Sequence, residues 1–193
     1  MLKKLTMLCA ALCVVSCANV TPPQRPVPEF DYAKYPPVLL DVSMIQVNDY
    51  IPTMQNGHVE HLMPTPLPSA AGEWARTRFK AVGNTGTAFI TIRDASVVGS
   101  SLDRTSGIKG VFTIDQAERY DGVLVVEMRI EGREPEPNGN GVVKVERSQT
   151  ISEDASLQQR DKLWTTMSEK MISDLDAATQ RMIGNRLRFI LVK

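Results

Sequence analysis

The alternation of apolar and polar positions divides the chain into two helices among several strands. From Val38 the order Val-Leu-Leu-Asp-Val-Ser-Met places Leu40, Val42 and Met44 against Asp41 and Ser43, the two-residue period of a strand with one buried face. The phase then shifts at Ile45 and Val47, which implies a bulge or burial of both faces near the strand's end. Residues 49–68 hold Pro52, Gly57, Pro64, Pro66 and Pro68 and are expected to be irregular, with a short extended piece near His58 to Met63. Ser69 can cap a helix in which Ala71, Trp74, Ala75, Phe79 and Val82 share one face, with Gly83 as its stop. Residues Thr87 to Val98 are rich in β-branched side chains and read as a strand, followed by a polar loop from Gly99 to Gly110 and a short strand at Val111 to Ile114.

The clearest strand is Val123 to Glu131, where Leu124, Val126, Met128 and Ile130 oppose Glu127, Arg129 and Glu131. The loop Gly132 to Gly141 turns the chain back into an antiparallel strand over Val142 to Thr150. Ser156 with Gln159, or Thr150 with Glu153, can form a capping box. The helix that follows carries the stripe Leu157, Trp164, Met167, Met171, Leu175, Ala178 and Met182, and Gly184-Asn185 should end or bend it. Its paired carboxylates Asp174 and Asp176 read as solvated, and its tryptophan and methionines as core packing. The order of elements predicts an α+β two-layer sandwich: an antiparallel sheet of four to five strands with two helices on one face.

The residues before Val38 do not belong to this pattern. Met1-Leu2-Lys3-Lys4 precedes an apolar run from Leu5 to Val15, about half the ~20 residues a spanning helix needs. Val14-Val15-Ser16-Cys17 resembles the lipobox of bacterial lipoproteins, in which small or aliphatic residues precede the cysteine that receives lipid. That resemblance implies that residues 1–16 are a removed signal peptide and that Cys17 is lipidated. Residues 17–37 then form a tether holding six of the chain's 12 prolines, a semi-rigid polyproline spacer. Extended at ~3.1 Å per residue, it reaches roughly 60 Å. Phe30, Tyr32 and Tyr35 are too apolar for a solvated linker and are expected to dock its end on a single domain spanning 38–193.

Composition narrows the possible functions. The 193 residues carry 22 basic and 22 acidic side chains, and removal of Lys3 and Lys4 leaves 20 against 22, so no basic excess points to nucleic acid. Cys9 and Cys13 lie in the removed run and Cys17 would be acylated, which leaves the mature domain without a thiol for a disulfide, a metal or a nucleophile.

Motifs for catalysis are sparse. His58-Val59-Glu60-His61 groups imidazole and carboxylate within four residues, but the flanking Pro52, Gly57 and Pro64 oppose a helix that would turn both histidines to one side. These histidines are read as loop residues, with no metal site, cofactor or catalytic residue assigned; a periplasmic metal-dependent hydrolase using His58, Glu60 and His61 is the alternative. No Gly-x-Ser-x-Gly, phosphate loop or dinucleotide fingerprint is present.

The lipobox, proline tether, strand, tryptophan-bearing helix with Trp74-Ala75-Arg76-Thr77-Arg78, further strands and final amphipathic helix together resemble small envelope lipoproteins of Gram-negative bacteria. Among these are the auxiliary lipoproteins of ABC-type lipid transporters and the lipopolysaccharide-assembly lipoprotein. The resemblance implies a non-catalytic, membrane-anchored protein that binds an envelope protein partner or an apolar ligand. Ala18 after Cys17, where an aspartate would signal retention, implies the outer membrane facing the periplasm.

Overall fold

The computed structural model describes residues 30–52, 55–102, 116–135 and 137–192. The expected signal peptide, the lipobox-like stretch with Cys17, the expected tether up to residue 29 and the strand expected at Val111 to Ile114 lie outside the described residues.

Among the described residues, six strands and two α-helices build the α+β fold. A four-stranded sheet has the order β2-β4-β5-β6, formed by β2 (Met44–Asn48), β4 (Thr87–Ser101), β5 (Gln116–Glu131) and β6 (Gly139–Ser152). The pairs β4–β5 and β5–β6 are antiparallel, whereas the short edge strand β2 runs parallel to β4. A parallel pair needs a crossover, and α1 (Leu67–Arg78) lies between β2 and β4 in the chain to supply it. A separate two-stranded parallel sheet joins β1 (Val38–Leu40) to β3 (Phe79–Ala81).

The single strand expected from Val38 is therefore two strands in different sheets. Leu40 and Val42 are both fully buried, but Met44, expected on the same buried face, is exposed, because the chain bends tightly after Leu40: Val42 N–H donates to Leu40 C=O and Ser43 N–H to Gly86 C=O. Gly83 makes this bend possible. A side chain there would place its Cβ 2.6 Å from the Asp41 carbonyl carbon.

Helix α1 begins and ends earlier than its apolar stripe implies. Pro66 stands at its N-cap and Pro68 within its first turn, where a missing N–H has no cost, so Ser69 falls inside the helix. Phe79 stays buried but reaches the core from β3, because pairing with Val38 draws the chain into an extended conformation after Arg78. Val82, the last residue of the expected stripe, is exposed.

Both helices cover one face of the sheet. From β4 and β5, Ala88, Ile90, Ile92, Leu124, Val126, Met128 and Ile130 point into the core, facing Trp74 and Ala75 of α1 and Met167, Met171 and Leu175 of α2 (Leu157–Arg186). Helix α2 starts with the capping box expected at Ser156 and Gln159, and both reciprocal hydrogen bonds are present. It runs through Gly184-Asn185 to Arg186. Leu157 is exposed, so the apolar stripe begins in practice at Trp164.

One reading of α2 is overturned. Asp174 is half-exposed and pairs with Arg147, but Asp176 is buried at 5% exposure. Its Oδ1 accepts from Trp74 Nε1 at 3.0 Å and from Arg78 Nε, while Oδ2 accepts from Gln180 Nε2 and, at 3.4 Å, from Arg78 Nη2. The remaining amino group of Arg78 donates to Pro36 C=O. Carboxylate, guanidinium and indole thus satisfy one another at the junction of α1, α2 and the segment entering β1.

That entering segment is seated rather than free. Phe30 is buried in the core, its ring 4.6 Å from that of Tyr32, and Tyr32 and Tyr35 pack against the same cluster. The three aromatics dock the end of the tether as their apolar character implies. Burial pushes the Tyr32 phenol up to about 12, with smaller contributions from the Glu73 carboxylate and Tyr35.

Two predictions follow from these contacts. Asp176→Ala strands the buried Arg78 charge and should lower the unfolding free energy by about 3–5 kcal/mol; a loss below about 1 kcal/mol in urea denaturation, the range of an exposed pair, would refute the pairing. Because an unfolded phenol ionises near ~10, the seating of Tyr32 contributes stability that is complete below that pH and is lost as pH rises through about 12. Alkaline denaturation should show this loss, and Tyr32→Phe should reduce it.

Candidate functional site

The irregular segment between β2 and α1 builds a concavity. Its prolines keep it out of helix and sheet, yet it is fastened at one point to β4. Strand β2 covers only the first third of β4's edge; farther along, His58 bridges to Val98, Val59 N–H donates to Val97 C=O at 2.9 Å, and Gly99 N–H donates to Gly57 C=O at 2.8 Å. Residues Glu60–Leu62 form a 3-10 turn where a short extended piece was expected. The reason is local: Leu62 N–H returns to Val59 C=O and Met63 N–H to Glu60 C=O.

Glu60 is buried at 3% exposure, beneath this turn. Its Oε1 accepts the Val97 N–H at 2.8 Å and lies 2.9 Å from His58 Nδ1, which donates to it. The carboxylate therefore closes the edge of β4 at a position where no strand pairs with it. His58 is largely covered, whereas His61 on the turn is exposed.

Around these residues lies a hollow of about 630 Å³, lined also by Asp49, Tyr50, Glu73 and Arg76, with Pro52, Pro66 and Pro68 on its walls. An ion pair between Arg76 and Asp49 ties α1 to the end of β2. The Tyr50 phenol is raised by burial first and then by the carboxylates of Asp94 and Glu60. Acids, one arginine, two imidazoles and a phenol give charges of mixed sign to a lining whose surface is otherwise mostly apolar.

The structure thus brings His58 and Glu60 into contact and places His61 in the same hollow. Among the described residues no group of three His, Cys, Asp or Glu side chains is placed to hold a metal ion. Asp49, Tyr50, Glu73 and Arg76 were not legible as site residues, since they come from two parts of the chain, the segment after β2 and α1, whose juxtaposition depends on the crossover. Cys17, the lipidation candidate, lies outside the described residues.

A second polar cluster sits at the far end of β5. Tyr120 is buried with its hydroxyl donating to Glu118, and Arg160 of α2 donates to the same carboxylate at 3.0 Å. The Tyr120 ring meets Trp164 edge to face at 5.4 Å, and its phenol is strongly raised by burial and by Glu118. Trp164, Met167 and Met171 are buried, in keeping with core packing. No helix among the described residues is long and apolar enough to cross a membrane.

No protein-family model and no curated protein sequence matches the chain. Among solved structures, the chain is similar to the rare lipoprotein B from Shewanella oneidensis, with a TM-score of 0.40 and 14% identity over 74% of this chain and 95% of that one. It is also similar to a minor lipoprotein from Acinetobacter baumannii, with a TM-score of 0.39 and 10% identity over 76% of this chain and 92% of that one. Likeness at this level assigns neither family nor activity.

The geometry gives Glu60 a structural task that can be measured. Glu60→Ala should lower stability by about 2 kcal/mol, because the Val97 amide loses a charged acceptor, and should speed hydrogen exchange at that amide. Unchanged exchange at Val97 would show that the carboxylate does not close the β4 edge.

Proposed function

We propose that this chain is a lipid-anchored envelope lipoprotein that acts by contact rather than catalysis, as an auxiliary component of lipid transport or envelope maintenance. The observation that carries the reading is Val14-Val15-Ser16-Cys17 behind a basic start and a short apolar run. Cys17 would carry lipid on its thiol, cleavage before it would make it the first residue of the mature chain, and Ala18 as the next residue favours the outer membrane, with the domain facing the periplasm.

The seating of the tether's end supports this reading. A domain held by a chain of prolines needs the last part of that chain fixed to its core, and Phe30, Tyr32, Tyr35 and Pro36 provide several attachments. Any force transmitted along the tether would reach the Arg78–Asp176 junction through Pro36 rather than a loose loop.

The hollow beside His58 combines a mostly apolar wall, its prolines included, with a few groups of mixed charge, which suits either a protein partner or an apolar ligand. The hydrolase reading has in its favour that His58 and His61 share this hollow, and against it that Glu60 is occupied by the Val97 amide.

Replacing Cys17 with serine should move the protein from the membrane fraction to the soluble periplasmic fraction. Continued sedimentation of a folded Cys17→Ser protein with membranes would refute lipid anchoring.

A further inference from the structure

The hollow beside His58 carries more acid than base. Asp49, Glu60 and Glu73 line it against one guanidinium, that of Arg76. Two of these carboxylates are already engaged: Asp49 holds Arg76, and Glu60 accepts the Val97 N–H at 2.8 Å with His58 Nδ1 beside it. Glu73 is different. It is exposed on α1, and among the described residues no hydrogen bond or ion pair engages its carboxylate.

Tyr50 lines the same hollow and is half-buried. Burial and then the nearby Asp94 carboxylate raise its phenol, and Asp94 Oδ1 is itself buried without a hydrogen-bond donor. Asp94 therefore adds to the negative field that the lining carboxylates set up. Around these charges most of the surface is apolar, with Pro52, Pro66 and Pro68 among its walls.

We propose that the hollow receives an arginine side chain of a protein partner, its guanidinium on the Glu73 carboxylate and its methylenes along the proline walls. The inference rests on the reading of this domain as one that acts by contact, and it names the chemistry of that contact. A guanidinium carries five donors and no acceptor, so it meets an unengaged carboxylate without opposing it with an acceptor of its own. Its planar face suits an aromatic such as Tyr50, and its stem covers apolar surface while the head stays with the acids. A lysine would supply the charge, but its ammonium is more strongly hydrated and lacks the planar fork.

An uncharged alkyl chain meets the same walls at a cost. Seated in the hollow, it would strip water from Glu73 and offer no donor in exchange. The volume of about 630 Å³ is more than one side chain fills, so residues flanking the arginine enter with it. That favours a segment of polypeptide over a small free guanidinium compound.

Isothermal titration of the full chain, reconstituted in phosphatidylcholine nanodiscs, with acetyl-Leu-Arg-Leu-amide tests this. The control is the same peptide with citrulline for arginine, which keeps the shape and removes the charge. The arginine peptide should bind about fivefold more tightly, the upper range for a part-exposed ion pair. Glu73→Gln should abolish that preference, whereas Glu146→Gln on the exposed face of β6 should leave it intact. An arginine peptide that fails to bind at millimolar concentration would overturn the proposal, as would a preference that survives Glu73→Gln. Equal binding of the two peptides would also overturn it and would identify the occupant as apolar. A chain without lipid can be titrated free in solution, so failure of the anchor at Cys17 and failure of the hollow are separate results.

Discussion

The buried pairing of Asp176 with Arg78 and Trp74 is the interaction on which the rest of the structure depends. It is the point where α1, α2 and the segment leading into β1 meet away from water. Desolvating a carboxylate and a guanidinium costs several kcal/mol each, so the pair is tolerable only because other donors and acceptors complete it. Trp74 and Gln180 supply two of these donors and Pro36 supplies an acceptor. Such a network adds little net stability over an apolar contact of the same shape. What it does supply is a fixed register, since a one-turn slip of either helix would separate the charges.

That register determines how the remaining surfaces are placed. With α1 fixed against α2, the proline-rich segment before α1 is held between the helix and the part of the β4 edge that β2 leaves uncovered, where Glu60 substitutes for a strand. The hollow containing His58 and His61 results from this arrangement. With α2 fixed over the sheet, its Asp174 meets Arg147 of β6. The tether enters on the side of the same junction, through Pro36 and the seated aromatics.

The sequence made much of the fold legible, and its failures have physical causes. Leu124 to Ile130 alternate cleanly because their strand has one wet face, and Ser156 with Gln159 marks a helix start through local bonds alone. By contrast, the break between β1 and β2 depends on Gly83 approaching Asp41 from a distant part of the chain, and the end of α1 depends on pairing between Phe79 and Val38. Asp176 looked solvated because its polar neighbours along the helix are, and only the arrival of Arg78 and Trp74 from another helix makes its burial tolerable. The candidate site was partly legible: His58 and Glu60 stood out as a local cluster, whereas Tyr50, Glu73 and Arg76 join them only through tertiary structure.

The central claim is that this fold hangs from a lipid at Cys17, and mass spectrometry of the N-terminal peptide tests it most directly. Protein extracted from membranes should begin at Cys17, with residues 1–16 absent and lipid covalently attached to that cysteine. A peptide that still contains Met1 to Ser16, or an unmodified Cys17 at its start, would contradict the account.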